Sequence, residues 1–129
     1  MHQPEFPQYA WMDGEFVPWN QARLHVETEC VKRGSSVFEG LRGYWNEDRE
    51  EIYLFRFREH MDRLYDSAKI MRMQPRFTRA ELERACIELV IKNGFRTDVA
   101  IHPVIYFGMS QGYFGYTPET VYTGAYLTA

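Results

Sequence analysis

The sequence is short of several things, and each shortage closes a class of function. Cysteine occurs only at Cys30 and Cys86, far apart in the chain. The opening "MHQPEFPQYAW" has no basic end followed by an apolar run, so the two read as reduced, buried thiols of a cytoplasmic protein rather than a disulfide. Apolar runs all fall well short of the roughly 18 residues that a membrane-spanning helix requires. Positive charge is not in excess either. Fifteen Lys and Arg against 18 Asp and Glu leave a net charge of −3, which gives nucleic acid no electrostatic footprint. His2, His25, His60 and His102 lack metal-ligand spacing, and no CxxC or HExxH occurs, so no metal is expected. "RGSSVFEG" is not the G-x-S-x-G of a nucleophile elbow, and neither G-x-G-x-x-G nor a Walker pattern is present. Lysine is confined to Lys32, Lys69 and Lys92.

What is there is aromatic. Phe, Trp and Tyr make up 16% of 129 residues, which favours a sheet-rich fold or a surface that presents rings to a ligand or partner. "YAWM", Asp13-Gly14 and "EFVPW" predict a hairpin with a type I′ turn, its second strand limited to an edge by Pro18. "ARLHVET" alternates Leu24 and Val26 with polar residues and predicts a half-buried strand. Residues 28–34 read as a turn or short helix, followed by a strand through "GSSVFEGLRGYW", a polar tip and the return strand "IYLFRF". A helix is predicted over about 58–71, with Met61, Leu64, Tyr65, Ala68 and Met71 as its apolar stripe. A second, over about 79–93, starts with a Thr78/Glu81 capping box and stops at Gly94. Two strands close the pattern, "VAIHPVIYFG" and "ETVYTGAYLTA", with a Gly/Tyr-rich loop of about 109–118 between them. The expectation is an α+β domain, a largely antiparallel sheet with about two main helices packed on it. The last strand runs to Ala129, so the chain is expected to stop where another domain begins.

Two groups of residues are candidates for chemistry. Arg63 adjoins the apolar stripe of its helix, either as a snorkelling side chain whose stem covers the core or as a fork for phosphate. Arg33, Arg42 and His102 would suit a carboxylate if they converged near glycine-opened backbone, and otherwise are solvated surface groups.

The motifs "WMDGEFVPW", "GSSVFEGLRGY" and "HMDRLYDSAKIMRM", in this order and spacing, resemble the class IV aminotransferases, and among them the branched-chain amino acid aminotransferases. The resemblance covers about residues 9–127. It implies that residues 1–129 are the small N-terminal domain of a two-domain, fold-type IV enzyme that uses pyridoxal 5′-phosphate (PLP). It further implies that Arg63 holds the cofactor phosphate and that Phe38, Gly40 and Arg42 wall the substrate side-chain pocket. The loop of about Met109 to Pro118 would reach the neighbouring subunit's active site, so a homodimer is implied. Two departures stand out. Arg33 replaces an aromatic residue common in relatives, which disfavours a plain apolar substrate side chain. His102 replaces an arginine that helps bind a dicarboxylate, which puts 2-oxoglutarate in doubt as amino acceptor.

Transamination needs a lysine that links covalently to PLP and shuttles a proton. In the family that lysine comes from the larger C-terminal domain. Lys69 lies about 240° around the helix from Arg63, Lys92 ends the second helix, and Lys32 is at most a remote stand-in. The chain is therefore expected to be inactive alone. Completed, it would move an amino group between an amino acid and a 2-oxo acid. A D-amino acid or amine aminotransferase, a 4-amino-4-deoxychorismate lyase, or a non-catalytic dimerisation module on the same fold are the alternatives.

Overall fold

The computed structural model describes residues 6–110, 117 and 119–129. Asp13 and Gly14 take φ of 49° and 100°, as a type I′ turn demands, and join β1 (Tyr9–Met12) to β2 (Glu15–Pro18). The Asp13 carboxylate accepts from the Ala125 amide at 2.9 Å and from the Tyr106 hydroxyl, which pins the hairpin tip to its neighbours. The other strands are β3 (Ser36–Phe38), β4 (Leu41–Asn46), β5 (Glu51–Phe55), β6 (Val99–Ser110) and β7 (Val121–Thr128). They form one seven-stranded sheet of order β2-β1-β7-β6-β4-β5, with β3 also paired to β6, and the pairings are antiparallel.

The predicted strand over "GSSVFEGLRGYW" is split at Glu39-Gly40, yet its register does not slip. Phe38 faces Val104 and Leu41 faces Ile101, so Glu39 stands opposite Pro103 and Gly40 opposite His102. The Glu39 amide donates to the Pro103 carbonyl at 3.1 Å. Pro103 has no N–H to return, so the ladder loses one bond at that step and the strand assignment breaks there.

Three helices accompany the sheet: α1 (Glu29–Arg33), α2 (Phe57–Ile70) and α3 (Arg79–Asn93). The Thr78/Glu81 capping box opens α3, and Gly94 in the left-handed region closes it. Both long helices pack on one face of the sheet. Met61, Leu64, Ala68, Leu82, Ala85, Cys86 and Leu89 join Leu41, Ile101, Ile105 and Leu127 in the core. These sheet residues share one parity of their strands, so the residues between them face the other way. Tyr44, Tyr53, Phe55 and Phe38 are exposed on that second side, away from α2 and α3.

Three expectations need correction. Residues 22–28 form no strand. Val26 is 70% exposed, and His25 Nδ1 accepts from the Glu27 amide, so local side-chain bonding wins over the alternation. Met71 does not extend the apolar stripe. Arg72 turns left-handed (φ 56°), the Met73 amide bonds back to Ala68, and Met73 is buried in its place, a Schellman-type stop. Cys86 is buried as expected, but Cys30 is only half-buried; both thiols are free. The Gly/Tyr-rich loop lies largely outside the described residues, and with it the expected contact with a neighbouring subunit.

Candidate active site

The strand from Ser36 to Gly43 carries different chemistry on its two faces. Glu39 has the parity of Val37 and Leu41, so it points toward the helices, and its carboxylate is only 4% exposed. There α2 supplies its partners. Arg63 donates through Nε to Oε1 at 2.6 Å and through Nη2 to Oε2 at 2.7 Å. His60, one turn earlier on the same helix face, places Nδ1 2.8 Å from Oε2. The two Arg63 bonds first, then His60, hold the Glu39 carboxyl below its usual range, against the opposing effect of burial. An ionised, buried carboxylate is thus fully engaged on one side of a guanidinium.

Of the two alternatives that its spacing offered, Arg63 does not follow the first. Its side chain is 69% exposed, so it does not snorkel along the core, and its charge is already met by Glu39. Of its five N–H groups the pair occupies two, Nε–H and one on Nη2. Among the described residues the outward fork, one N–H from each Nη, has no protein acceptor. That fork has the shape and charge for an anion such as a phosphate.

On the face away from α2 and α3, Phe38, Gly40 and Arg42 follow one another at alternate positions, facing Val104, His102 and Ala100 of β6. Directly opposed residues of an antiparallel pair share a face. Phe38, Gly40, Arg42 and His102 are therefore gathered on one surface, without the Arg33 that the sequence grouped with Arg42 and His102. Phe38 is 67% exposed, and Arg42 and His102 are exposed as well. A Cβ built on Gly40 meets nothing within 4 Å. The glycine leaves a gap between a ring and a cation, with an imidazole across from it.

The three glycines of the motif turn out to have separate duties. Gly34 caps α1 in the left-handed region, with φ 66°. Gly43 points into the core, where a Cβ would come within 2.7 Å of Ile52 and 2.8 Å of Val99. Of the three, Gly40 alone lies between Phe38 and Arg42 on their face of the sheet.

Arg33 stands apart from this group. It lies on α1, whose Val31 lines a groove with Met12, Tyr126 and Thr128 over this same side of the sheet. Its guanidinium is turned to Glu29, one turn back on α1. Glu29 is 1% exposed and also accepts from Ser110 Oγ at 2.6 Å. The Ser110 bond first, then Arg33, hold the Glu29 carboxyl below its usual range although burial opposes them. The positive charge expected at this wall is therefore met within the protein.

Sequence reasoning missed Glu39 and His60. Strand parity was the available signal: an acidic residue between Val37 and Leu41 on the core-facing register requires a buried partner. His60 and Arg63, three apart on the facing helix, are the partners that spacing provides.

Residues 36–127 match the family model for amino-transferase class IV. The branched-chain-amino-acid aminotransferase of Escherichia coli (strain K12) is 42% identical over 100 residues, which cover 78% of this chain and 31% of that protein. The crystal structure of a branched-chain aminotransferase from Thermoproteus uzoniensis with norvaline superposes with a TM-score of 0.83 at 34% identity, covering 95% of this chain and 40% of that one. A branched-chain amino acid aminotransferase from Thermobaculum terrenum in its PLP-form matches with a TM-score of 0.82, also at 34% identity, over 96% of this chain and 40% of that one. The chain thus spans from about a third to two-fifths of the length of these relatives. With a family match over most of its residues and relatives above 30% identity that cover most of its length, the chain belongs to the class IV aminotransferases.

Proposed function

We propose that this chain supplies the phosphate anchor and one substrate wall of a PLP-dependent aminotransferase, acting between an amino acid, branched-chain or related, and a 2-oxo acid. The observation that carries the reading is the Arg63 guanidinium, paired on one edge with Glu39 and open on the other. A phosphate monoester is best held by such a planar, permanently charged fork. The relatives in PLP-form and with norvaline support the cofactor and the substrate class.

When bound, PLP supplies an electron sink for the charge that develops at the amino acid α-carbon. The residues of this chain bind and orient around it. Arg63 holds the phosphate, and Phe38 and Arg42 bound the substrate side chain across the space that Gly40 leaves. His102 offers a ring nitrogen to the acceptor's polar end in place of a permanent cation. Arg33, neutralised by Glu29, adds less positive charge to this wall than its position implies.

The lysines fit the division of labour in this proposal. Lys32 Nζ lies 3.2 Å from Glu27 and 3.8 Å from Glu29, and Lys92 sits over the rings of Tyr9 and Phe16. Lys69 is exposed on α2. The proposal therefore assigns the covalent lysine to a C-terminal domain following residues 1–129, and the working form to a cytoplasmic homodimer. Phe38, Tyr44, Tyr53 and Phe55, each at least 46% exposed on the face away from α2 and α3, support a further protein surface over that side. No helix among the described residues is long and apolar enough to cross a membrane.

The test compares PLP with pyridoxal, which lacks the phosphate. The chain should bind PLP more tightly, and Arg63→Ala should erase about 10- to 100-fold of the difference, the value of charge-assisted hydrogen bonds. Equal affinity for the two compounds in the wild-type chain would count against the assignment.

A further inference from the structure

The Glu39–Arg63 pair raises a question of sign. A carboxylate 2.6 Å from a guanidinium neutralises it and, by charge alone, makes it a poorer site for an anion. The geometry points the other way. Arg63 has four rotatable side-chain bonds and is 69% exposed, so without a partner it would sample many orientations. Glu39 removes that freedom. Its carboxylate is fixed by burial at 4% exposure and by His60 on Oε2, and its backbone by the hydrogen bond that its N–H donates to the Pro103 carbonyl. Bonded at Nε and Nη2, the guanidinium plane is set, and its remaining fork has no protein acceptor among the described residues.

We propose that Glu39 is a positioning residue for phosphate capture: it orients Arg63 by a buried bidentate bond and improves anion binding despite its own negative charge. The proposal rests on the reading of Arg63 as the phosphate anchor and adds how that anchor is held. A preorganised donor loses less freedom on binding, and outer partners that orient a ligand-binding group are commonly worth about 10-fold or more in affinity. Here that gain must exceed the electrostatic loss.

The charge and positioning effects predict opposite results for Glu39→Gln. Glutamine keeps the shape and removes the charge, but it can accept from Arg63 through only one oxygen. Inorganic phosphate is titrated into the 129-residue chain; binding is followed through backbone amide NMR shifts, and the Arg63 Nε–H signal reports how firmly the guanidinium is held. The expected result is a sharp, slowly exchanging Nε–H signal in the wild type and an averaged one in Glu39→Gln, with phosphate affinity about tenfold lower in the variant. Unchanged or tighter binding by Glu39→Gln would overturn the positioning role.

Arg63→Ala separates the two levels of the argument. If it abolishes phosphate binding while Glu39→Gln does not weaken it, the anchor stands and the positioning role falls. If phosphate does not perturb Arg63 up to its solubility limit, or if Arg63→Ala binds as the wild type does, the anchor itself falls and the positioning role with it. Should Glu39→Gln fail to fold, Glu39→Asp keeps the charge but draws the carboxylate back by one methylene. Weaker phosphate binding by that variant supports positioning, and unchanged binding overturns it.

Discussion

Gly40 lies at the break between β3 and β4, Gly43 lies three residues on within β4, and alanine at the two positions should shift stability in opposite directions. A Cβ on Gly43 would approach Ile52 Cγ2 at 2.7 Å, Val99 Cγ2 at 2.8 Å and Leu54 Cδ2 at 3.2 Å. Two of these atoms belong to β-branched side chains, which cannot swing aside without leaving their preferred χ1. Overpacking of this kind costs about 1–3 kcal/mol. Against it stands a gain of about 0.4–1 kcal/mol, because alanine has fewer unfolded conformations than glycine. Gly43→Ala is therefore expected to be net destabilising. At Gly40 no atom lies within 4 Å and φ is not in the left-handed region, so only the gain remains. The two variants should differ by about 1–3 kcal/mol, the overpacking cost alone. At about 3–5 °C per kcal/mol for a chain of this size, thermal unfolding followed by circular dichroism reads the difference directly. Gly40→Ala should leave the fold intact and instead fill the gap between Phe38 and Arg42, weakening substrate binding in a completed enzyme. Equal melting temperatures for the two variants, or a destabilised Gly40→Ala, would refute the assignment of faces.

Other outcomes follow from the same geometry. Glu39 and Glu29 carry folded-state pKa values below those of free carboxylates. Their stabilising effect is therefore complete above the unfolded value of about 4.3 and is lost as the pH falls through the lowered folded values. Urea midpoints should fall below about pH 4, and Glu39→Gln should flatten that acid limb. Burial pushes the Cys86 thiol up to about 12, and Cys86 has no exposed surface, whereas Cys30 is half-buried. A thiol reagent at neutral pH should label Cys30 slowly and Cys86 only on unfolding; rapid labelling of both would contradict the packing of α3. Thr78→Ala removes the side-chain acceptor at the start of α3 and should cost about 1 kcal/mol by urea unfolding, without altering phosphate binding.

Where the chemistry is local, the sequence predicts the structure well. The Asp13-Gly14 turn, the Thr78/Glu81 box and the Gly94 stop each depend on residues within a few positions of one another. Both long helices follow from their apolar spacing. The segment 22–28 failed because its alternation competes with the His25 ring accepting from the Glu27 amide, a contest that pattern alone does not decide. Met71 failed because a left-handed Arg72 ends α2 and hands the core position to Met73. The grouping of Phe38, Gly40, Arg42 and His102 depends on a register between strands some sixty residues apart, so only the family resemblance anticipated it. Glu39 lay hidden for the opposite reason. Its parity marks it as buried, but a buried glutamate is intelligible only once α2 brings Arg63 and His60 beside it.

The most direct test of the central claim joins this chain to the part of the Escherichia coli branched-chain-amino-acid aminotransferase that follows its matched segment. The account predicts a chimera that binds PLP and transfers an amino group from an aliphatic amino acid to a 2-oxo acid, with Arg63→Ala losing cofactor affinity. A folded chimera that does not bind PLP, or that binds it equally well without Arg63, would contradict it.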